Sequence, residues 1–124
     1  MRLILAASAF VLAAAPGLAG PEGRETPIAT PSGEPVSCVT IGSIKETRVR
    51  DGATIDFIMR SGKVFRNALD GGSCPQLASQ RRFLYKASGS QLCWVDRISV
   101  LVDPGLSRGA SCGLGQFQPI TLSR

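Results

Sequence analysis

The stretch IKETRVRDGATIDFIMRSGKVFRNAL, residues 44–69, decides the fold because apolar and polar side chains alternate along most of it. Gly52 and Gly62 divide it, and each follows a polar residue that is common in turns. Glycine readily adopts the left-handed conformation that a three-residue hairpin loop requires. The pattern therefore predicts three antiparallel strands joined by two such loops.

Three-residue loops also predict the strand register. They pair Glu46 with Asp56, Val49 with Ala53, Asp56 with Arg66 and Phe57 with Phe65. A two-residue loop would mix apolar and charged side chains on one face, so the separation of faces favours the longer loops. The predicted core face holds Val49, Ile55, Phe57, Met59, Phe65 and Leu69, and the opposite face holds Arg48, Thr54, Asp56 and Arg66.

Shorter strand patterns follow this meander. RFLYKA (82–87) and SQLCWVD (90–96) predict a second hairpin around Gly89, and DRISVLVDPG (96–105) predicts a strand that ends at a Pro-Gly turn. CGLGQFQPI (112–120) predicts a last strand, in which Pro119 suits a sheet edge. With one helical turn near Leu77 at most, the predicted class is all-β and mainly antiparallel: a small disulfide-linked barrel or sandwich of about six or seven short strands.

The N-terminal residues have the pattern of a targeting segment. Residues 1–19 combine Arg2, an apolar run and small residues before Ala19, which predicts a cleaved secretory signal peptide. The run is shorter than the roughly 20 residues that span a bilayer, which disfavours the alternative of an uncleaved membrane anchor. Residues 20–37 hold four of the eight prolines and predict a flexible tether. A single β domain is then expected over residues 38–124, in a periplasmic or secreted protein that does not span the membrane after cleavage.

The four cysteines predict two disulfides, because an even set in an exported chain is typical of a disulfide framework. The chain has no histidine and no CxxC spacing, so we expect no metal site, no cofactor and no nucleophilic role for Cys74. Three connectivities are possible. We favour Cys74–Cys93 with Cys38–Cys112, since the first link closes a short segment and the second ties the start of the domain to its end.

The chain also resembles a family of small exported bacterial proteins known as domain of unknown function family 6491. The resemblance rests on the runs at residues 51–79, 92–100 and 112–115, and it covers about residues 38–120. The matching positions are Leu69, Cys74 and Leu77, then Cys93, Asp96 and Ile98, and finally Cys112. The resemblance implies the fold and the compartment, and it implies no activity.

The carboxylates give weak support for catalysis. Asp51, Asp70 and Asp103 each adjoin a glycine or a Pro-Gly pair, where aspartate commonly stabilises turns. Glu46 and Asp56 form the only carboxylate pair that the predicted register brings together. A solvated face balanced by arginines is the favoured interpretation of that pair, so no catalytic residue is predicted.

The charge distribution gives a second signal. From residue 38 to 124 there are twelve Lys and Arg residues against six Asp and Glu residues. Arg81, Arg82 and Lys86 have no acidic neighbour between Cys74 and Trp94, so they are the candidate anion-binding patch. The expected partner is an anionic envelope polymer, lipid or protein, and nucleic acid is not expected outside the cytoplasm. Ordinary solubilising charge remains the alternative.

Three functional hypotheses follow from these patterns. The first is an exported, non-enzymatic binding or accessory domain. The second is a secreted inhibitor of a hydrolase that presents residues 102–113 as a long loop, with Leu106 or Arg108 as its anchor. The third is a small enzyme that uses Glu46 and Asp56.

Overall fold

A computed structural model of the chain describes residues 26–87 and 89–123. Within that part of the chain it has one short helix, α1 (Leu77–Gln80), one 3-10 turn (Ile41–Ser43) and ten strands. The strands are β1 (Ala29–Pro31), β2 (Cys38–Thr40), β3 (Ile44–Asp51), β4 (Thr54–Met59), β5 (Val64–Ala68), β6 (Phe83–Lys86), β7 (Gln91–Cys93), β8 (Arg97–Val102), β9 (Ser107–Gly113) and β10 (Phe117–Leu122). The predicted signal peptide lies outside the described residues.

The strands form a five-stranded sheet in the order β1-β10-β5-β4-β3, a three-stranded sheet in the order β6-β8-β9, and the pair β2-β7. Every pairing is antiparallel, and the two larger sheets contribute to one core in a sandwich-like arrangement. The predicted fold class is confirmed, although three-residue strands raise the strand count above the predicted six or seven. The fully buried core side chains include Ile55, Phe57, Leu77, Leu92, Ile98, Val100 and Phe117.

The meander of β3, β4 and β5 forms as predicted at its second turn. Phe57 pairs with Phe65 and Asp56 with Arg66, and Gly62 has a φ of 90°. The Met59 amide donates to the Lys63 carbonyl across this three-residue loop at 2.8 Å. The glycine is therefore used for its left-handed conformation.

The first turn differs from the prediction. Only Gly52 and Ala53 separate β3 from β4, and the Ala53 amide donates to the Asp51 carboxylate at 2.8 Å. This local hydrogen bond stabilises a shorter turn. A register shift between Val49 and Asp51, of the kind a β-bulge produces, adds one residue to β3, so Val49 pairs with Ile55 instead of Ala53 and the faces do not mix despite the two-residue turn. The predicted register of this hairpin is wrong by two residues, which leaves every side chain on its predicted face; all six predicted core residues are buried.

The predicted hairpin around Gly89 is wrong. β6 pairs with β8, whereas β7 pairs with β2 and brings Cys93 directly opposite Cys38. These two cysteines form one disulfide, and the second links Cys74 to Cys112. All four cysteines are thus paired, but the favoured connectivity is wrong because a non-local strand pairing decides it.

The segment predicted as a tether over residues 20–37 is folded onto the domain in its described part. β1 pairs with β10, and the Ser32 amide donates to the Pro119 carbonyl at 2.9 Å. β10 therefore lies inside the sheet, and Pro119 is not on an edge strand as predicted. In an antiparallel sheet, the nitrogen and the carbonyl of one residue point toward the same neighbouring strand. The Pro119 carbonyl points toward the β1 side, so the N–H group that proline lacks is also missing on that side, and the hydrogen bonds between β10 and β5 are unaffected.

Two further contacts hold this N-terminal segment. The Thr26 hydroxyl donates to the Asp51 carboxylate, and Arg66 donates to the Pro27 carbonyl at 3.0 Å. Burial opposes ionisation of Asp51, but the hydrogen bonds from Thr26 and from Ala53 outweigh it and lower the pKa of this carboxyl group. No helix within residues 26–87 and 89–123 has the length and apolar character needed to cross a membrane.

Candidate functional site

The exposed surface of the β6-β8-β9 sheet carries three cations, Lys86, Arg97 and Arg108, that form no salt bridge in the described residues. Side chains alternate along β8, so Ile98 and Val100 enter the core while Arg97 and Ser99 face outward. The neighbouring strands place polar and apolar side chains beside them. We call this surface the basic face; it comprises Leu84, Lys86, Arg97, Ser99, Arg108 and Ser111.

Two cations on the basic face lie directly opposite each other. Lys86 on β6 pairs with Arg97 on β8 in the strand register. Like charges directly opposite each other destabilise a sheet. Within residues 26–87 and 89–123, neither residue forms a salt bridge, and neither does Arg108. The opposed cations are therefore a local electrostatic cost that no salt bridge of the described residues offsets.

The guanidinium of Arg97 is fixed in place by β9. Its Nε donates to the Ser111 hydroxyl at 3.1 Å, and its Nη2 donates to the Ser111 carbonyl at 2.8 Å. Gly113, opposite Arg97, adds no side chain there. The nearest acidic side chain along the chain, Asp96, instead accepts a hydrogen bond from the Cys93 amide at 2.7 Å. The hydrogen-bond partners of Arg97 are thus neutral groups. The Asp70 carboxylate lies near it, since a Cβ on Gly113 would be 3.7 Å from Arg97 Nη1 and 3.9 Å from Asp70 Oδ2, but no salt bridge joins the two side chains in the described residues.

Two open cavities adjoin these cations. One of about 300 Å³ is lined by Leu84, Tyr85, Lys86, Ser99 and Arg108. The other, of about 410 Å³, is lined by Lys86, Ala87, Val95, Asp96, Arg97, Ser99 and Ser111. Lys86 and Ser99 border both, so the two cavities flank one cation and one hydroxyl. Their volumes fall in the range of small-molecule sites, and their cations suit carboxylate, phosphate or sulfate groups; the second cavity is also bordered by Asp96, whose carboxylate accepts a hydrogen bond from the Cys93 amide.

The structure separates the three residues of the sequence-predicted patch. Lys86 lies on the basic face. Arg82 forms an exposed salt bridge with Asp103 at 2.8 Å. Arg81, directly after α1, has a φ of 54° and its Nη1 donates to the Val49 carbonyl at 2.9 Å. Only Lys86 of the three therefore carries an unpaired charge on this face.

Sequence reasoning missed Arg97, and it considered Arg108 only as an anchor of an inhibitory loop and not as a neighbour of Lys86. Alternation along β8 could have shown that Arg97 points outward, away from the core, whereas β9 (SRGASCG) has no such alternation to place Arg108. Their place beside Lys86 depends on the pairing of β6 with β8, whereas the sequence predicted that β6 pairs with the next strand in the chain. Because the strand partner predicted for β6 was wrong, the sequence did not indicate that these residues form a cluster.

The carboxylate pair considered for catalysis does not form. Glu46 pairs with Ile58 in the register and contacts Arg48 at 3.2 Å, whereas Asp56 lies opposite Arg48. Because the predicted register was wrong by two residues, the two carboxylates occupy different positions along β3 and β4.

Asp56 belongs to an ion-pair network on the outer side of the large sheet. Its carboxylate is fully buried and accepts hydrogen bonds from Arg66 at 2.8 and 3.0 Å and from Arg50 at 2.8 Å. Donation to Asp56 raises the pKa of the Arg66 guanidinium. Both oxygens of Asp56 are occupied by guanidinium groups, so the arrangement serves the packing of β4 against β3 and β5.

The long loop predicted over residues 102–113 is also corrected. β9 occupies most of that range, and β8 and β9 form a hairpin around the turn at residues 103–106. Leu106 is exposed at the turn with a φ of 52°, and Arg108 lies on the basic face. The two proposed anchors of an inhibitory loop therefore belong to a turn and a paired strand.

No protein-family model, no curated protein and no solved structure matches this chain. The resemblance to family 6491 stays a prediction, and the function must be argued from the geometry of the basic face.

Proposed function

We propose that the protein is an exported, non-enzymatic binding domain that holds an anionic partner on the basic face. The observation that carries this proposal is the directly opposed Lys86 and Arg97, which have no salt-bridge partner in the described chain and lie beside two open cavities. An anion seated between them would offset their repulsion and accept charge-assisted hydrogen bonds.

The cysteine chemistry supports the proposed compartment. Both disulfides are formed, and such bonds persist in the periplasm and outside the cell, where thiols are not kept reduced. One of them fixes β7 to β2, and the other fixes the loop before α1 to β9 of the basic face. A periplasmic or secreted location would give this face access to anionic envelope components.

Binding through this face should depend on salt. Exposed charges attract a partner over about one Debye length, which is roughly 10 Å at 0.1 M ionic strength. Each cation close to an anionic surface contributes about 1 kcal/mol. Lys86 and Arg97 together should therefore account for roughly 2 kcal/mol of the affinity at low salt.

Retention on immobilised dextran sulfate tests the proposal. The variant Lys86→Ser/Arg97→Ser should elute at lower salt than the unmodified protein. A matched control, Lys45→Ser/Arg48→Ser, removes the same charge from exposed positions on β3. The control should have the smaller effect, and Arg81→Ser should change retention little because Arg81 already contacts the Val49 carbonyl. Equal losses in the two double variants would show that only net charge matters and would refute the proposal.

A further inference from the structure

Beside the basic face, a tight turn presents two large apolar side chains to solvent. Trp94 and Val95 occupy the central positions between β7 and β8, and their exposed fractions are 51% and 65%. The Asp96 amide donates to the Cys93 carbonyl at 2.9 Å and closes the turn. Central turn positions usually carry Gly, Pro, Asn, Asp or Ser, so two adjacent large apolar residues here are unusual.

The turn is held firmly in this exposed arrangement. Cys93 is linked to Cys38 by a disulfide, and the Trp94 amide donates to the Ser37 carbonyl at 2.9 Å. The Asp96 carboxylate accepts a hydrogen bond from the Cys93 amide on the other side. The backbone of the turn is therefore fixed at both ends, and it holds the two apolar side chains in exposed positions.

The same turn adjoins the cations of the basic face. Val95, Lys86 and Arg97 line one cavity of about 410 Å³. Asp96 lines it too, and its carboxylate accepts a hydrogen bond from the Cys93 amide. The surface thus combines an apolar tip with two positive charges that form no salt bridge, immediately behind it. An acidic polysaccharide would complement the charges and leave the apolar tip without a counterpart, whereas a membrane surface with anionic headgroups complements both.

We propose that the turn at Trp94 and Val95 inserts into the interfacial region of an anionic membrane while Lys86 and Arg97 contact lipid headgroups. This inference rests on the proposed function and deepens it by naming the partner. The tryptophan ring is apolar with one polar N–H, a combination that suits headgroup depth. Apolar insertion and electrostatic attraction act together in this mode of peripheral binding.

Trp94 is the only tryptophan in the chain, so its fluorescence reports directly on this turn. Purified protein is mixed with vesicles of equal parts phosphatidylglycerol and phosphatidylcholine, and separately with vesicles of phosphatidylcholine alone. We expect co-sedimentation and a blue shift of the tryptophan emission with the anionic vesicles, and neither with the neutral ones. High salt should reverse both effects.

Variants separate the two parts of the interaction. Lys86→Ser/Arg97→Ser should weaken vesicle binding roughly 25-fold, from about fivefold for each cation. Val95→Ser keeps the fluorescent reporter and should weaken binding about fivefold through lost apolar burial. Leu106→Ser removes an exposed apolar side chain at a different turn and should leave binding unchanged.

The outcomes distinguish failure of this inference from failure of the proposed function. The protein could bind dextran sulfate through Lys86 and Arg97 and yet not bind vesicles. That result would overturn the membrane as the partner, and the basic face would remain a binding site for polyanions. Vesicle binding without a blue shift in the unmodified protein would overturn insertion. Absence of binding to both dextran sulfate and anionic vesicles would overturn both proposals.

Discussion

The change Asp56→Asn keeps the size of a buried side chain and removes its negative charge. The carboxylate accepts three hydrogen bonds from Arg50 and Arg66, and the variant leaves two guanidinium groups without their counter-ion. Removing one member of a buried ion pair commonly costs 3–5 kcal/mol. The arginine side chains are 14% and 17% exposed, so water can partly solvate them. We therefore expect a loss of about 3 kcal/mol, at the lower end of that range.

Such a loss is a large part of the 5–15 kcal/mol that stabilises a typical domain. It corresponds to a fall of about 12–24 °C in melting temperature for a domain of this size. Thermal unfolding followed by circular dichroism under non-reducing conditions measures it. The control Glu46→Gln disrupts an exposed pair with Arg48 and should cost at most about 1 kcal/mol. If Asp56→Asn lowered the melting temperature no more than this control, the role given to the buried network would be wrong.

Three further predictions concern the backbone, the disulfides and pH. Gly115→Ala would place a Cβ 2.1 Å from a backbone carbonyl oxygen of β5 and should cost about 2 kcal/mol or more, whereas Gly42→Ala enters open space and should change stability by about 0.5 kcal/mol at most. Equal urea midpoints for the two variants would contradict this. A non-reduced proteolytic digest should contain a peptide linking Cys38 to Cys93, and loss of this link should cost about 4 kcal/mol; a different partner for Cys93 would disprove the β2–β7 pairing. The pKa of Asp51 is below its ordinary value of 3.8 in the fold, so the stability that it contributes is present above about pH 4 and is lost as the pH falls through the folded value. Asp51→Asn should flatten that acid-induced loss of stability, and an unchanged pH profile would exclude the proposed role of its hydrogen bonds.

The sequence of the central meander predicts which side chains are buried better than it predicts which residues pair across neighbouring strands. Alternation with a period of two assigns each side chain to a face, and a register shift of two residues leaves that assignment intact. This is why the core residues of β3, β4 and β5 were correct while the pairs across the first turn were wrong. Gly62 behaves as expected, whereas the turn at Gly52 is shortened by the Asp51 carboxylate.

The three shortest strands could not be predicted from the sequence, for a different reason. β1, β2 and β7 have three residues each, too few to show a periodic pattern. Their pairings join segments far apart in the chain, and those non-local pairings decide the disulfide connectivity and the position of β10. Local signals therefore predicted strands and turns but not the order of strands in the sheets.

In the candidate site, too, the local sequence predicts single residues but not their neighbours from other strands. Lys86 was predicted as part of a basic cluster in the sequence, and the structure keeps it exposed and unpaired in the described chain. Its neighbours on the basic face come from β8 and β9, so the cluster exists only once the sheet is assembled. Arg81 was predicted from adjacency in sequence, yet its side chain is held by a carbonyl of β3.

Chemical-shift mapping of backbone amides during titration with dextran sulfate tests the central claim most directly. We predict that the changes concentrate on the basic face, at Lys86, Arg97, Ser99 and Ser111, and disappear at high salt. Changes centred on β3 around Arg48, or spread evenly over every basic residue, would contradict the claim that this face is the binding site.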